Sequence, residues 1–152
     1  MTVDVGIEAP RQPELLEFLR RGDEYTLSLY PPESCHLLGV DELEAPEVTV
    51  LVARSAGKAL GMVALIDNSD GTAELKRMFV TPAARGRGIA AALIRSLETV
   101  AADAGTRTVR LETGPLQHAA IRLYERSGYR PIPNFGKYVG DPNSVCYEKA
   151  LA

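Results

Sequence analysis

The stretch that decides the fold is VTPAARGRGIAAALI, which runs from Val80 to Ile94. The preceding letters AELKRMF have the pattern of a strand, and Ile89, Leu93, Leu97 and Val100 then recur at helical spacing. A proline, two arginines and two glycines therefore stand where a strand gives way to a helix. The first amides of a helix lack intrahelical partners, and the helix dipole makes that end positive. We therefore expect an anion site here, most often one for phosphate.

The composition of this loop fits that expectation. Arg85, Gly88 and Ala90 form the pattern Arg-x-x-Gly-x-Gly/Ala. Glycine lets the backbone approach a ligand closely, and Arg85 and Arg87 offer guanidinium forks to phosphate oxygens. So short a pattern occurs by chance in roughly one of ten chains of this length, so its place between strand and helix carries the prediction. The alternative is a glycine-rich turn with solvated arginines. The chain has neither G-x-G-x-x-G nor a P-loop sequence.

Length and composition indicate a single globular domain over residues 1–152, with 45% hydrophobic and 24% charged residues. The net charge of −3 argues against a nucleic-acid or anionic-membrane partner, since both attract a basic face. Cys35 and Cys146 have no metal-ligand spacing, and two cysteines suit a reducing compartment. The chain has no apolar run of about 18 residues and no signal-peptide pattern, so we expect a cytoplasmic protein. Because metal-ligand spacing is lacking, we also expect no metal.

The rest of the chain predicts helices packed on a mixed sheet. A first helix begins near Pro13 with Leu15, Leu16 and Leu19 on one face, and a second short helix covers residues 23–30. VTVLVAR and ALGMVALI, separated by SAGK, predict a hairpin, and TVRLET and SVCYEKAL predict later strands. This order of strands and helices is typical of an α/β or α+β fold.

Three stretches in order, AELKRMFVTPAARGRGIAAALI, VRLET and HAAIRLYERSGYR, resemble the GCN5-related N-acetyltransferases, the GNAT superfamily. The resemblance covers Thr72–Tyr129. It implies the acyl-CoA N-acyltransferase fold, with a mixed, mostly antiparallel central sheet flanked by helices. It also implies transfer of an acetyl group from acetyl-CoA to an amine, by direct attack in a ternary complex. PPESCHLL and PNFGKYVGDPNSVCYEK are similar to a subgroup of uncharacterised bacterial members, and homodimers are common in the family.

The resemblance also assigns the cofactor contacts. The arginine and glycine loop would hold the pyrophosphate of coenzyme A through backbone amides, and the strand before it would pair with the pantetheine amides. The strand VRLET would diverge from that strand and open a slot for the acetyl group. Gln117 stands where the family often has an asparagine. The residues so assigned are Met78, Phe79, Val80, Arg85, Gly86, Arg87, Gly88, Ile89, Ala90, Gln117 and Ala120.

Two residues are predicted by the resemblance to be catalytic. Tyr124 falls where the family places the tyrosine that donates to the departing sulfur, and the alternative is a tyrosine packed on the core. Glu74 falls where some members carry a general base, and the alternatives are a solvated strand glutamate or a water chain. A carboxyl with a pKa near 4.3 needs burial or a water relay to accept a proton from an ammonium.

The resemblance implies that PPESCHLL and PNFGKYVGDPNSVCYEK wall the acceptor site, which would take a small-molecule amine. Their candidate side chains are Glu33, Ser34, His36, Phe135 and Tyr138. The alternatives are a structural histidine at His36 and apolar capping of the sheet edge by Phe135 and Tyr138. Two other functions share the fold: an inactive acyl-CoA-binding or regulatory module, and a protein or peptide N-acetyltransferase.

Overall fold

A seven-stranded sheet runs through the centre of the molecule, in a computed structural model that describes residues 2–152. The spatial order is β1-β2-β3-β4-β5-β7-β6. The β4–β5 pair is parallel and the other five pairings are antiparallel, which confirms the predicted mixed, mostly antiparallel sheet. The strands are β1 (Asp4–Ile7), β2 (Val48–Ser55), β3 (Lys58–Asp67), β4 (Thr72–Val80), β5 (Thr108–Thr113), β6 (Arg130–Ile132) and β7 (Val145–Ala150).

The hairpin predicted at SAGK joins β2 to β3. Ser55 pairs with Lys58, and the two residues between them, Ala56 and Gly57, have φ of 51° and 80°. Positive φ at both central positions is the geometry of a two-residue turn whose twist matches the strands it joins. The short strand β6 is an element that the sequence analysis did not predict.

Helices cover both faces of the sheet. Alternate residues of β2 belong to different cores: Val50 and Val52 pack with α1 and α2, whereas Leu51 and Ala53 pack with α3 and α4. Because successive side chains of a strand point to opposite faces, the two pairs of helices lie on opposite sides. The helices are α1 (Pro13–Leu29), α2 (Val40–Leu43), α3 (Ile89–Asp103) and α4 (His118–Arg126), with 3-10 turns at Pro32–Ser34, Pro82–Ala84 and Gly136–Tyr138.

The N-terminal helix corrects two expectations. α1 is continuous from Pro13 to Leu29, so residues 23–30 do not form a second helix. The interior glycine, Gly22, is accommodated because an added Cβ there would meet β4 side chains only at ordinary contact distance. The buried face of α1 is made by Leu15, Phe18 and Leu19, and Leu16 is 38% exposed.

Candidate active site

β4 and β5 pair as parallel strands and then separate. Their pairing runs from Thr72 opposite Thr108 to Leu75 opposite Leu111 and does not continue beyond. A cleft of about 920 Å³ opens where they part, with walls from α1, β4, α3, β5 and α4. Small-molecule sites commonly enclose about 300–1,000 Å³, so this cleft has room for a large ligand. The divergence is the one expected of VRLET.

A bulge in β4 shapes one wall of the cleft. On β3, Met62 and Ala64 are two residues apart, but their β4 partners, Phe79 and Lys76, are three apart, so β4 carries one extra residue. Arg77 lies in this bulge with φ of 60°. Gly61 permits the close approach beyond it, because a Cβ there would come within 2.7 Å of the Phe79 carbonyl oxygen.

The bulge turns two consecutive side chains to the same face. Leu75 packs in the core shared with α3 and α4, so the next residue, Lys76, points to the α1 face. Arg77 also faces α1, where its guanidinium contacts Asp23. A regular strand would have sent Arg77 to the opposite face.

The loop before α3 has the geometry of an anion site. Gly88 is the N-cap residue of α3 with φ of 75°, and no side chain caps the helix. The first bond of the helix runs from the Ala92 N–H to the Gly88 oxygen at 3.0 Å, so the amides of residues 89–91 precede the helical hydrogen-bond pattern. These amides and the positive end of the dipole favour a phosphate at this end of the cleft.

All but one of the residues predicted to hold the cofactor line the cleft; the exception, Arg87, is exposed and lies outside the lining. Gln117 is the N-cap residue of α4, and its Oε1 accepts hydrogen bonds from the Gly114 N–H at 2.9 Å and from Thr113 Oγ1 at 3.3 Å. Its side chain therefore braces the β5–α4 loop and leaves its amide NH2 group for a ligand.

Tyr124 reaches the cleft from α4. It is 5% exposed, and within residues 2–152 no group hydrogen-bonds to its hydroxyl. Burial and, to a smaller degree, the neighbouring Glu112 carboxylate raise the pKa of Tyr124. The phenol therefore stays protonated at neutral pH, as a hydrogen-bond donor without an internal acceptor.

Glu74 lies outside the cleft lining. Its Oε2 accepts a hydrogen bond from the Tyr138 hydroxyl at 2.5 Å and lies 3.9 Å from Lys76 Nζ. Lys76 Nζ in turn donates to Tyr138 Oη at 2.8 Å and to the His36 carbonyl oxygen at 3.0 Å. The carboxylate predicted as a base is thus engaged in a buried polar cluster under Tyr138.

Glu112 lines the cleft in its place. It is the first β5 residue beyond the pairing with β4, and its Oε2 accepts a hydrogen bond from Ser144 Oγ at 2.7 Å. Burial raises the pKa of the Glu112 carboxyl, the bond from Ser144 opposing that rise. Glu112 was not predicted from the sequence, although its alternation with Leu111 and Thr113 in VRLET assigns it to the sheet face opposite Leu111.

The two predicted acceptor stretches, residues 31–38 and 133–149, meet in the structure. Residues 31–39, between α1 and α2, and residues 133–144, between β6 and β7, are here called the acceptor loops. His36 Nε2 lies 3.0 Å from Asp141 Oδ2, and Ser34 Oγ donates to Asp141 Oδ1 at 3.0 Å. Asn143 Nδ2 donates to Ser34 Oγ at 3.2 Å. One carboxylate therefore ties the two loops together.

Of the predicted acceptor residues, Ser34 and His36 line the cleft. Glu33 is exposed, Phe135 packs beside Arg110, and Tyr138 is buried, so these three lie outside the lining. Within residues 2–152 no group of His, Cys, Asp and Glu is placed to hold a metal ion. In the same residues, no helix has the length and apolarity needed to cross a bilayer.

Comparisons with known proteins agree with this geometry. A model described as the acetyltransferase (GNAT) family matches residues 13–129. The IAA acetyltransferase of Azospirillum brasilense is 40% identical over 150 residues, covering 98% of both chains. A crystal structure from Klebsiella pneumoniae, assigned as an acyl-CoA N-acyltransferase, is 33% identical with a TM-score of 0.84 and covers 99% of both chains. The PaiA N-acetyltransferase of Thermoplasma acidophilum, solved with coenzyme A, shares the fold at 17% identity, with a TM-score of 0.80 and 99% coverage of both chains.

Proposed function

Since the chain belongs to the acetyltransferase (GNAT) family, we propose that it transfers the acetyl group of acetyl-CoA to the amine of a small molecule, by direct attack in a ternary complex. The observation that carries the proposal is the cleft between the diverging strands, with a helix N-terminus at one end and Tyr124 and Glu112 in its lining. Acetyl-CoA supplies the activated acetyl group. In this proposal, main-chain amides and a few side chains bind the cofactor, orient the amine and handle the protons.

The cofactor half of the site relies on the backbone. The amides of residues 89–91, together with the glycines of the loop, suit the pyrophosphate of coenzyme A. β4 no longer pairs with β5 beyond Leu75, which leaves Met78 and Val80 beside the cleft for the pantetheine amides. Arg85 donates from Nε to the Val80 carbonyl oxygen at 3.3 Å, which holds the loop against the strand end.

Tyr124 is proposed as the donor that stabilises the leaving thiolate. A protonated phenol without an internal acceptor can place its hydrogen bond on a developing negative charge at little cost in reorganisation. The raised pKa makes complete proton transfer from Tyr124 to a thiolate less favourable, because the thiol pKa is ordinarily near 8.5. Hydrogen bonding to the sulfur is therefore its role in this proposal.

Glu112 is proposed as the general base, with Glu74 as a structural residue. A base works best when its pKa lies near the working pH, and burial moves that of Glu112 upward from the ordinary carboxyl range. Glu74 is occupied by Tyr138 and lies outside the cleft lining. A water between Glu112 and the amine would extend the reach of the carboxylate.

Ligand-dependent thermal denaturation followed by an acceptor screen tests this function. Acetyl-CoA and CoA at about 100 times their dissociation constants add about 2.7 kcal/mol, which raises the midpoint by about 5–10 °C for a chain of this size, whereas ATP and NAD serve as controls. The screen then follows release of the CoA thiol with a panel of small-molecule amines, and IAA, for which the relative at 40% identity is named, is assayed beside them. No shift with either CoA form would refute cofactor binding. A shift without turnover on any amine would leave an acyl-CoA-binding module, and acetylation of proteins alone would replace the small acceptor.

A further inference from the structure

Arg77 is a cation placed in the cleft by the bulge of β4. Its side chain is 7% exposed and lines the cleft on the α1 side of the sheet. The left-handed backbone at Arg77 costs about 1–2 kcal/mol for a residue other than glycine. The acceptor loops border this same α1 side, since Lys76 Nζ donates to the His36 carbonyl oxygen, and it is called here the acceptor side of the cleft. The fold thus directs a buried guanidinium to the acceptor side at the expense of local backbone strain.

The internal partner of Arg77 leaves its hydrogen-bonding capacity largely unused. Arg77 Nη1 lies 2.6 Å from Asp23 Oδ1, but this contact brings the two charges together without hydrogen-bond geometry. In the described part of the chain, neither Arg77 Nε nor Asp23 Oδ1 has a hydrogen-bond partner. A guanidinium presents five donors in a fixed fork, and buried donors without acceptors are unfavourable. Arg77 can therefore take a second oxyanion.

The position of Arg77 separates it from the cofactor loop. The anion site of α3 lies on the opposite face of the sheet from α1, which Arg77 faces. The neighbouring cation, Lys76, is already bonded to the His36 carbonyl oxygen and to Tyr138. Among these basic groups Arg77 is the one suited to a ligand on the acceptor side.

The opposite charge lies on the adjacent strand. The last residues paired between the two strands are Leu75 of β4 and Leu111 of β5. Glu112 is the next residue after Leu111, and Arg77 lies two residues beyond Leu75. The acceptor side of the cleft therefore carries a carboxylate beside the point of divergence and a guanidinium a step further along β4. A ligand that bears an amine and an anionic group matches both signs.

We propose that the acceptor is an amino-carboxylate, such as an amino acid, whose carboxylate binds the Arg77 guanidinium while its amine faces Glu112. This inference rests on the proposed function and adds the substrate class. The planar guanidinium fork suits the two oxygens of a carboxylate, and an ammonium in its place would lack that geometry. Arg77 is thus a specificity-determining residue.

Matched acids and amides test the proposal. The probes are the protein amino acids and their carboxamides, which keep the amine and the shape but lack the negative charge. Two readouts are taken with each probe: kcat/KM from thiol release with saturating acetyl-CoA, and calorimetric affinity for the protein saturated with CoA. We expect the best acid to exceed its amide by about ten-fold or more in both.

Variants separate recognition from structure. Arg77→Gln is expected to lower the values for acids far more than those for amides and so to abolish the preference for acids, and Arg77→Lys to retain part of the preference. Asp23→Asn removes the internal competitor and is expected to maintain or strengthen binding of acids. Arg11→Gln is the matched control, since Arg11 is paired with Asp41 and Glu44 away from the cleft. The thermal shift with CoA verifies that each variant is folded.

Each outcome decides the inference. Equal values for acids and amides in the wild type, or an equal loss of both in Arg77→Gln, would overturn it. So would an Asp23→Asn variant that loses acid binding as Arg77→Gln does, because Arg77 would then serve only the ion pair. Preference for acids in binding without turnover would support Arg77 and refute the proposed activity. Equal turnover of amides and acids would support the proposed activity and refute the role of Arg77. Failure to bind either probe would refute the acceptor class.

Discussion

Replacing Glu112 with glutamine tests how the cleft handles protons. Glutamine keeps the shape of the side chain, and its amide oxygen can still accept the hydrogen bond that Ser144 Oγ donates at 2.7 Å. It cannot accept a proton from the amine. A positioned general base contributes about 10²–10⁴ in rate, so we expect kcat to fall by about 100-fold or more, equivalent to about 2.7 kcal/mol of transition-state stabilisation.

The same substitution is expected to leave stability unchanged or to raise it. Burial raises the pKa of Glu112, so its charged form is less favourable in the folded protein than in the unfolded chain. Below the ordinary glutamate pKa of about 4.3 both states are protonated and no penalty exists. The penalty grows as the pH rises from there to the raised pKa. The midpoint of Glu112→Gln should therefore equal or exceed that of the wild type at pH 7, with the difference shrinking toward pH 4.

Thiol release measured across pH, together with thermal melts, checks both statements. The wild-type rate should rise with pH through the raised pKa of the base, and the acid limb should be absent from the residual activity of Glu112→Gln. Glu74→Gln is the control: the Tyr138 hydroxyl loses a charged acceptor, so its midpoint should fall while kcat stays near the wild-type value. The reasoning is refuted if Glu112→Gln keeps kcat within about three-fold, or if Glu74→Gln loses it as steeply.

Three further perturbations probe the cleft. Tyr124→Phe should lower kcat by about ten-fold or more without loss of stability. Tyr129→Phe removes a hydroxyl bonded outside the cleft, so it should lower the free energy of unfolding by about 1 kcal/mol in urea denaturation and leave kcat unchanged. The same loss of kcat in both variants would contradict the role of Tyr124. Gly88→Ala forces a residue with a side chain into φ of 75°, so it should lower the free energy of unfolding by about 1–2 kcal/mol and raise the KM for acetyl-CoA. Gly6→Ala, also in open space but without positive φ, is its control. A normal KM in Gly88→Ala would argue against the phosphate site. The pKa of Asp141 is lowered chiefly by a backbone amide and also by side chains of the acceptor loops. The wild type should therefore be more stable than Asp141→Asn above the ordinary aspartate pKa of about 3.9, and this difference should disappear as the pH falls through the lowered pKa. A difference in melting midpoint that is the same at every pH would contradict this.

The sequence predicted the parts of the site that depend on local pattern. The strand, the glycine loop and the amphipathic helix α3 follow from periodicity and from glycine conformation, and the structure has them in that arrangement. Choosing between Glu74 and Glu112 needed tertiary information. Both are acidic strand residues on the same face, and the difference is that Tyr138, which is distant in sequence, bonds to Glu74 and leaves Glu112 beside the cleft.

The bulge at Arg77 shows a second limit of pattern reading. Strict alternation along AELKRMF assigns Lys76 and Arg77 to opposite faces, and a single positive φ overrides that assignment. No residue in this stretch signals the bulge, because glycine is absent from it and arginine has no preference for the left-handed region. The bulge is defined by the register of β4 with β3, and β3 lies outside this stretch, so no local sequence window contains that information.

The bridge that Asp141 forms between the acceptor loops sets a condition for redesigning this enzyme. Residues 31–39 and 133–144 come from distant parts of the chain, yet they share one carboxylate and one set of donors. A graft of either loop alone from a relative with a different acceptor would leave partly buried polar groups without partners, whereas a graft of both would carry its own bonds with it. The main-chain cofactor site would be unaffected. The two loops therefore form one polar unit, and a design that exchanges predicted acceptor residues should transplant both loops together.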